Sequence, residues 1–342
     1  RGSSPRNAHR HLRLPSGEPR MAAPCLLDKV LLLGVLLTGV GAAPHCPGKL
    51  QQLSSPNCGV EDPECPVEAP FHRTNISVDG AFRYVETSYC PPYDWSCLSN
   101  QKARRPCARK QTFKIPLEPT PPAAEGIPLG LGWPRASPAP AGAASADVPT
   151  SAEALNALPS AALGGDVRPM LGAIAVLLNG VALNGVATKL SEALPADVRL
   201  EGSDRWVDAV VAEAWMDDGC LGHLSGGGNY HTHAGRWSPE QRIACGLPQD
   251  DAGQHSPLLG WAFDGHGLFG PQDALGQPPT DLDACGGHAG LTATGESQYH
   301  YHMTDVYPYA LECYRSCPEP SNNFRFKDLP CAKRAAKSKG EL

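Results

Sequence analysis

Histidine is the residue type with the most chemistry to offer in this chain, and it is concentrated. Of twelve histidines, eight fall between His223 and His302. Two pairs are spaced as His-x-His, within Tyr230-His231-Thr232-His233 and Tyr299-His300-Tyr301-His302. On a strand, side chains alternate between faces, so His231 and His233 point one way, as do His300 and His302, while the residues between them point the other. A third histidine follows a glycine in each case, His223 after Gly222 and His288 after Gly287. The glycine is expected to permit the tight turn that brings this ring to the strand face. Three imidazoles converging from a strand and a turn form a ligand set for zinc or copper, with a fourth position left for water or substrate. Such ligands must be neutral, so affinity is expected to fall as pH drops through about 6.5. Asp218, Asp283, Tyr230 and Tyr299 stand close enough in sequence to orient these rings from behind. His255 and His266 lack a repeated counterpart, and a turn or surface role is the expectation for both. Asp264 reads as a turn residue.

The charge around these residues suits a cation. Between 201 and 312 there are sixteen aspartates and glutamates against three arginines and no lysine. This field attracts metal ions and repels nucleic-acid backbones. No serine nucleophile elbow, phosphate loop or dinucleotide fingerprint occurs, so nothing points to a nucleotide cofactor or to those enzyme classes.

The elements that must position the histidines occur twice in the same order. Asn179-Gly180-x-x-Leu183-x-Gly185 is matched by Asp264-Gly265-x-x-Leu268-x-Gly270, and Asp218-x-Cys220-x-Gly222-His223 by Asp283-x-Cys285-x-Gly287-His288. The tyrosine–histidine segments follow in both copies. Two pseudo-symmetric halves, 168–234 and 254–303, are therefore expected within one domain at 166–317. Asn-Gly and Asp-Gly between apolar stretches are hairpin signals. Trp206, Val207, Val210, Val211 and Ala214 have helical spacing, with Ser203 as a plausible cap. The expected class is mainly β with at least one helix (α+β is the alternative). The two clusters either stay separate or face each other as one binuclear centre.

The rest of the chain reads as a secretory protein. Residues 1–20 look like upstream or unstructured sequence. The apolar run after Met21, closing on small residues, reads as a signal peptide over 21–42, with cleavage expected after Ala42. The run is too short to span a bilayer, and no other stretch could cross one. Beyond Cys25 come six cysteines in the first half (Cys46, Cys58, Cys65, Cys90, Cys97, Cys107) and six in the second (Cys220, Cys245, Cys285, Cys313, Cys317, Cys331). Even sets suggest disulfides in an oxidising compartment. Residues 44–117 are expected to form a small Cys-rich module closed by its own bridges, followed by a Pro/Ala-rich linker at 118–165 and a basic tail at 318–342. Lys114–Leu117 reads as a first strand of the next domain. A Cys220–Cys285 bridge between equivalent places is attractive. Asn75-Ile76-Ser77 is a glycosylation acceptor. The terminal Lys339-Gly340-Glu341-Leu342 resembles an endoplasmic-reticulum retrieval signal with glycine where aspartate is expected, so secretion is favoured over retention in that lumen.

At Tyr299-His300-Tyr301-His302 the chain resembles the YHYH-domain family. The likeness extends over roughly 165–317, through Leu259-Gly260-Trp261-Ala262-Phe263-Asp264-Gly265, Leu282-Asp283-Ala284-Cys285-Gly286-Gly287-His288 and Tyr307-Pro308-Tyr309. The first copy departs from the motif, with Thr232 where the second has Tyr301. The resemblance implies a secreted or envelope protein and supplies no established reaction. Three function classes follow: a metal-binding extracellular protein, a hydrolytic or oxidative metalloenzyme, and a structural or adhesive module whose histidines and tyrosines only pack. The first accounts for most of the residues above, with His223, His231, His233, His288, His300 and His302 as ligands.

Overall fold

A computed structural model describes residues 74–89, 91, 110–120, 126–130, 169–193, 204–214, 217–225, 229–233 and 237–333. These residues all belong to one compact unit, His45–Leu342. The signal peptide, the first six cysteines and most of the linker lie outside the described residues. The strands are β1 (Asn75–Asp79), β2 (Phe82–Thr87), β3 (Gln111–Pro116), β4 (Ile127–Pro128), β5 (Ala173–Leu177), β6 (Ala182–Asn184), β7 (Ala187–Lys189) and β8 (Trp206–Asp208). They continue with β9 (Gly222–Leu224), β10 (Tyr230–Thr232), β11 (Leu258–Ala262), β12 (Gly267–Phe269), β13 (Gly287–Leu291), β14 (Ser297–His302) and β15 (Cys313–Tyr314). Helices α1 (Leu190–Ala193), α2 (Ala209–Ala212) and α3 (Pro239–Ala244) are short, and a 3₁₀ turn covers Phe326–Asp328. The protein is thus mainly β with a little helix.

Eight strands form one sheet in the order β13-β14-β12-β11-β5-β6-β10-β9. The order is a palindrome of roles. In each half a hairpin (β5-β6 or β11-β12) pairs in parallel with the histidine strand (β10 or β14), which pairs antiparallel with the Gly-His strand (β9 or β13). Both hairpins turn on a left-handed glycine, Gly180 at φ +82° and Gly265 at φ +102°. Both also carry a register shift at the same place, between Ala173 and Ala175 and between Leu258 and Gly260. The halves meet along β5 and β11, antiparallel, with Val176 opposite Trp261. Those two residues are equivalent in the repeat, so a pseudo-two-fold axis passes between them, perpendicular to the sheet.

That symmetry fixes where the histidines stand. Directly opposed residues share a face of a sheet. His223 opposes His231, which opposes Ala182, which opposes Val176, which opposes Trp261, which opposes Gly267; His300 lies beside Gly267 and opposes His288. One row crosses all eight strands with a pair of histidines at each end, all on one face. With strands about 4.8 Å apart, β10 and β14 are separated by about 24 Å. A shared binuclear centre is thereby ruled out. The other face buries Leu183, Leu268, Ala175, Ala262 and Tyr301 in the core.

Several expectations are corrected. Trp206–Asp208 is a strand pairing with β7, and the helix begins only at Ala209, capped by Asp208 Oδ1 accepting from Val210 N at 2.8 Å, not by Ser203. Among the described residues the disulfides are Cys220–Cys245, Cys285–Cys313 and Cys317–Cys331. Cys220 and Cys285 cannot meet, because they sit near opposite edges of the sheet. Lys114 to Pro116 do lie in a strand, β3, in a three-stranded sheet with β1 and β2. That sheet shares the main core: Val85, Phe113 and Ile115 are fully buried, and Phe113 stacks on Phe263 at 5.0 Å. The segment after residue 317 is likewise held down, by Cys317–Cys331 and the fully buried Phe326. Asn75 is exposed on β1, at the sheet edge.

Candidate metal centres

In the first half the three expected rings come together with a fourth group. His231 Nε2 lies 3.0 Å from His233 Nε2. Glu213 Oε2 lies 2.9 Å from His233 Nε2 and 3.0 Å from His223 Nε2. Glu213 closes helix α2, and the four ligand atoms lie within 4.8 Å of one another. The outer nitrogens are all engaged: His223 Nδ1 donates to Asp217 Oδ1 (2.7 Å), His231 Nδ1 to the Asn229 carbonyl (3.2 Å) and His233 Nδ1 to the Gly185 carbonyl (2.6 Å).

The second half repeats this. His288, His300 and His302 present their Nε2 atoms as a triangle with edges of 3.2, 3.0 and 3.2 Å. His255 adds a fourth Nε2, 3.1 Å from that of His300. The outer nitrogens donate to Asp281 Oδ1 (2.7 Å), Gln298 O (3.0 Å), Gly270 O (2.7 Å) and, for His255, Ser256 O (2.7 Å). Asn229 and Gln298 hold equivalent rings in the two copies, as do Gly185 and Gly270. All eight ligand residues are buried, and His300 and His302 completely so.

The outer bonds decide the tautomers. A backbone carbonyl or a carboxylate can only accept, so each of the seven rings carries a proton on Nδ1. In the first half the Nε2 atoms of His223 and His233 face Glu213 Oε2. In the second half the Nε2 atoms keep their lone pairs, and those of His255, His288 and His302 lie 3.1, 3.2 and 3.0 Å from that of His300, an arrangement that repels itself unless a cation sits among them. The spacing fits one. With metal–nitrogen bonds of 2.0–2.1 Å, neighbouring ligand atoms are about 3.3–3.4 Å apart in a tetrahedron and about 2.8–3.0 Å apart in a square. The observed 3.0–3.2 Å edges lie between these.

The electrostatics separate the centres. Burial works against a charged His223, but its hydrogen bonds to Asp217 and Glu213 outweigh burial and raise it to about 10. Burial also opposes a charged Glu213, yet His233 and His223 hold its carboxyl well below the usual range. His231, desolvated and facing His223 and His233, is pushed well down. In the second half, burial lowers His300 to about 4 and His302 to about 3. The metal-free first centre therefore holds a proton at neutral pH, whereas His300 and His302 are neutral. Titration near 6.5, expected of free imidazole, does not describe His223, His231, His300 or His302.

The other singled-out residues build the frame. Asp218 and Asp283 do not bond the rings. Each receives the N–H groups of its own turn, Cys220 and Gly222 in one copy and Cys285 and Gly287 in the other, and the hydroxyl of Tyr230 (2.5 Å) or Tyr299 (3.0 Å). The carboxylates behind the rings are Asp217 and Asp281, one and two residues earlier. The left-handed residue of each turn is Leu221 or Gly286, one position before the expected glycine. Gly222 and Gly287 are instead required by close approach: a Cβ there would strike the Tyr230 ring or the Tyr299 ring and the His300 carbonyl. Asp264 is a turn residue with a second use, accepting from Tyr301 Oη at 2.6 Å and Ser316 N at 3.2 Å. His266 donates to the Tyr299 carbonyl and packs on both tyrosines.

Glu213 and His255 were not legible as ligands, because Glu213 comes from a segment the repeat does not share and His255 stands where the first half has Met170. A further grouping, Asp273, Asp281 and His288, lies toward the surface beside the second centre. Among the described residues no helix is long and apolar enough to cross a membrane.

Residues 155–277 match the family model described as YHYH protein, so the chain carries a YHYH domain. The matched span contains Tyr230-His231-Thr232-His233 and ends upstream of Tyr299. No curated protein and no solved structure matches the chain.

Proposed function

From a YHYH domain whose two halves each gather buried imidazoles, we propose that this protein binds two transition-metal ions, one per half. His223, His231, His233 and Glu213 hold the first; His255, His288, His300 and His302 hold the second. The observation that carries the reading is the tautomer argument: every Nδ1 donates to a group that only accepts, leaving Nε2 lone pairs to face one another in the second half and Glu213 to face two rings in the first. Zinc and copper are the ions such donors suit. The setting we propose is extracellular, after removal of a signal peptide over 21–42 and with Asn75 glycosylated; three disulfides, and no membrane-spanning helix, among the described residues are compatible with it.

Elemental analysis of protein purified from a secretory route tests the reading. Two equivalents of metal per chain are expected, and His300→Ala with His302→Ala should remove one. A metal-free core of packed histidines is the competing reading; protein that retains no zinc or copper after exposure at neutral pH would establish it.

A further inference from the structure

The two centres are built from the same strands but not from the same donors, and the difference is one of charge. The first has a carboxylate among its ligands, Glu213, and a second behind His223, Asp217, whose side chain is 15% exposed. Two largely buried negative charges match a divalent ion, and a buried charge is tolerated only when it is compensated nearby. The second centre offers only imidazole nitrogens around His300, those of His255, His288 and His302, and no carboxylate among them. Its one bonded acid, Asp281, touches only His288, and that side chain is 67% exposed. A zinc or cupric ion there would leave two positive charges on a buried ligand set with no anionic donor, and a cuprous ion only one.

Resting on the two-ion reading above, we infer that the all-imidazole centre of His255, His288, His300 and His302 is a copper site and that the Glu213 centre takes zinc. Copper is the ion that four imidazoles suit in two valences. As the cupric ion it leads the affinity order on nitrogen donors, and as the cuprous ion it brings only one charge to a site that supplies none. Zinc is commonly held by histidines with one carboxylate, which is the donor set of the first half. Asp273 and Asp281, at the surface beside His288, give a cation an acidic approach to the second centre.

The test uses the full secreted chain, stripped with a chelator and given one equivalent each of zinc and cupric ion at neutral pH. After desalting, one of each is expected. Electron paramagnetic resonance should show copper coupled to imidazole nitrogens, and zinc X-ray absorption should fit mixed nitrogen and oxygen donors. Glu213→Gln should weaken zinc binding at least tenfold and leave the copper spectrum unchanged. His255→Gln should alter the copper spectrum, weaken copper at least tenfold and spare zinc. The spectra of the unsubstituted chain keep the test decisive if either variant misfolds. Copper with an oxygen ligand, zinc bound by nitrogen alone, or both ions divided evenly between the centres overturns the inference while leaving two-metal binding intact. A chain that keeps neither ion overturns the two-metal reading itself.

Discussion

Replacing Tyr301 with phenylalanine removes one oxygen from the interior and leaves the ring in place. That oxygen donates to Asp264 Oδ2 at 2.6 Å and accepts from Arg315 N at 2.8 Å, and both Tyr301 and Asp264 are fully buried. The variant therefore forfeits a hydrogen bond to a carboxylate, about 1.5–3 kcal/mol, and leaves a backbone N–H without this partner, at a further cost of about 1–3 kcal/mol. A loss of about 3–5 kcal/mol follows, or a fall in Tm on the order of 10 °C for a domain of this size. The ring faces away from the histidines, so metal content should not change. Urea and thermal unfolding, read beside elemental analysis, give both numbers. A loss below about 1 kcal/mol would refute the account of the middle tyrosine as a tie between Asp264 and the 315–316 backbone. Loss of a metal equivalent without unfolding would refute its separation from the centre. In the first copy Thr232 donates to the Leu221 carbonyl at 2.6 Å, a neutral bond, and Thr232→Val should cost about 1 kcal/mol.

Metal removal should lower Tm, since an ion held at a hundred times its Kd contributes about 2.7 kcal/mol per site; differential scanning fluorimetry with chelator and with added ion checks this, and an unchanged Tm would count against bound metal. Gly287→Ala should drive the Tyr299 ring off Asp283 and abolish the second centre while the first keeps its ion, as read by metal stoichiometry. His223 is raised to about 10, so the first centre is protonated below that pH and must release a proton to take an ion. Its affinity should accordingly climb about tenfold per pH unit between pH 6 and 9. Calorimetry of zinc uptake in two buffers of different ionisation enthalpy would expose a missing proton.

The parts of the site legible in sequence are those the chain writes twice. His-x-His spacing and the Gly-His turn give six ligands because a strand's period of two and a tight turn are local properties. Glu213 escapes because it arrives from an unshared connection and His255 because its counterpart is Met170, and only the tertiary fold brings each within 3.1 Å of a ring. The supporting carboxylates were misplaced by one or two residues for a related reason: Asp218 and Asp283 are drawn to the N–H groups of their own turns, a preference sequence proximity cannot rank against a ring. Cysteine pairing depends on sheet position in the same way, as Cys220 and Cys285 show. The membership of β2 and β3 in the main core rests on the stacking of Phe113 on Phe263, a contact across 150 residues.

The seam between β5 and β11 has a consequence for assembly. Because Val176 faces Trp261 on the pseudo-symmetry axis, the pairs on either side repeat in reverse, Ala175 with Ala262 and Leu177 with Gly260. This is the geometry of an isologous contact, the kind that two identical chains make in a C2 dimer. A single half carried alone would end in an unpaired β5 edge with Ile174 and Val176 stripped of their cover, a template for uncontrolled pairing. Joining both halves in one polypeptide makes that contact independent of concentration, and it frees each copy to diverge, so that one edge of a once-symmetric sheet can carry Glu213 while the other carries His255.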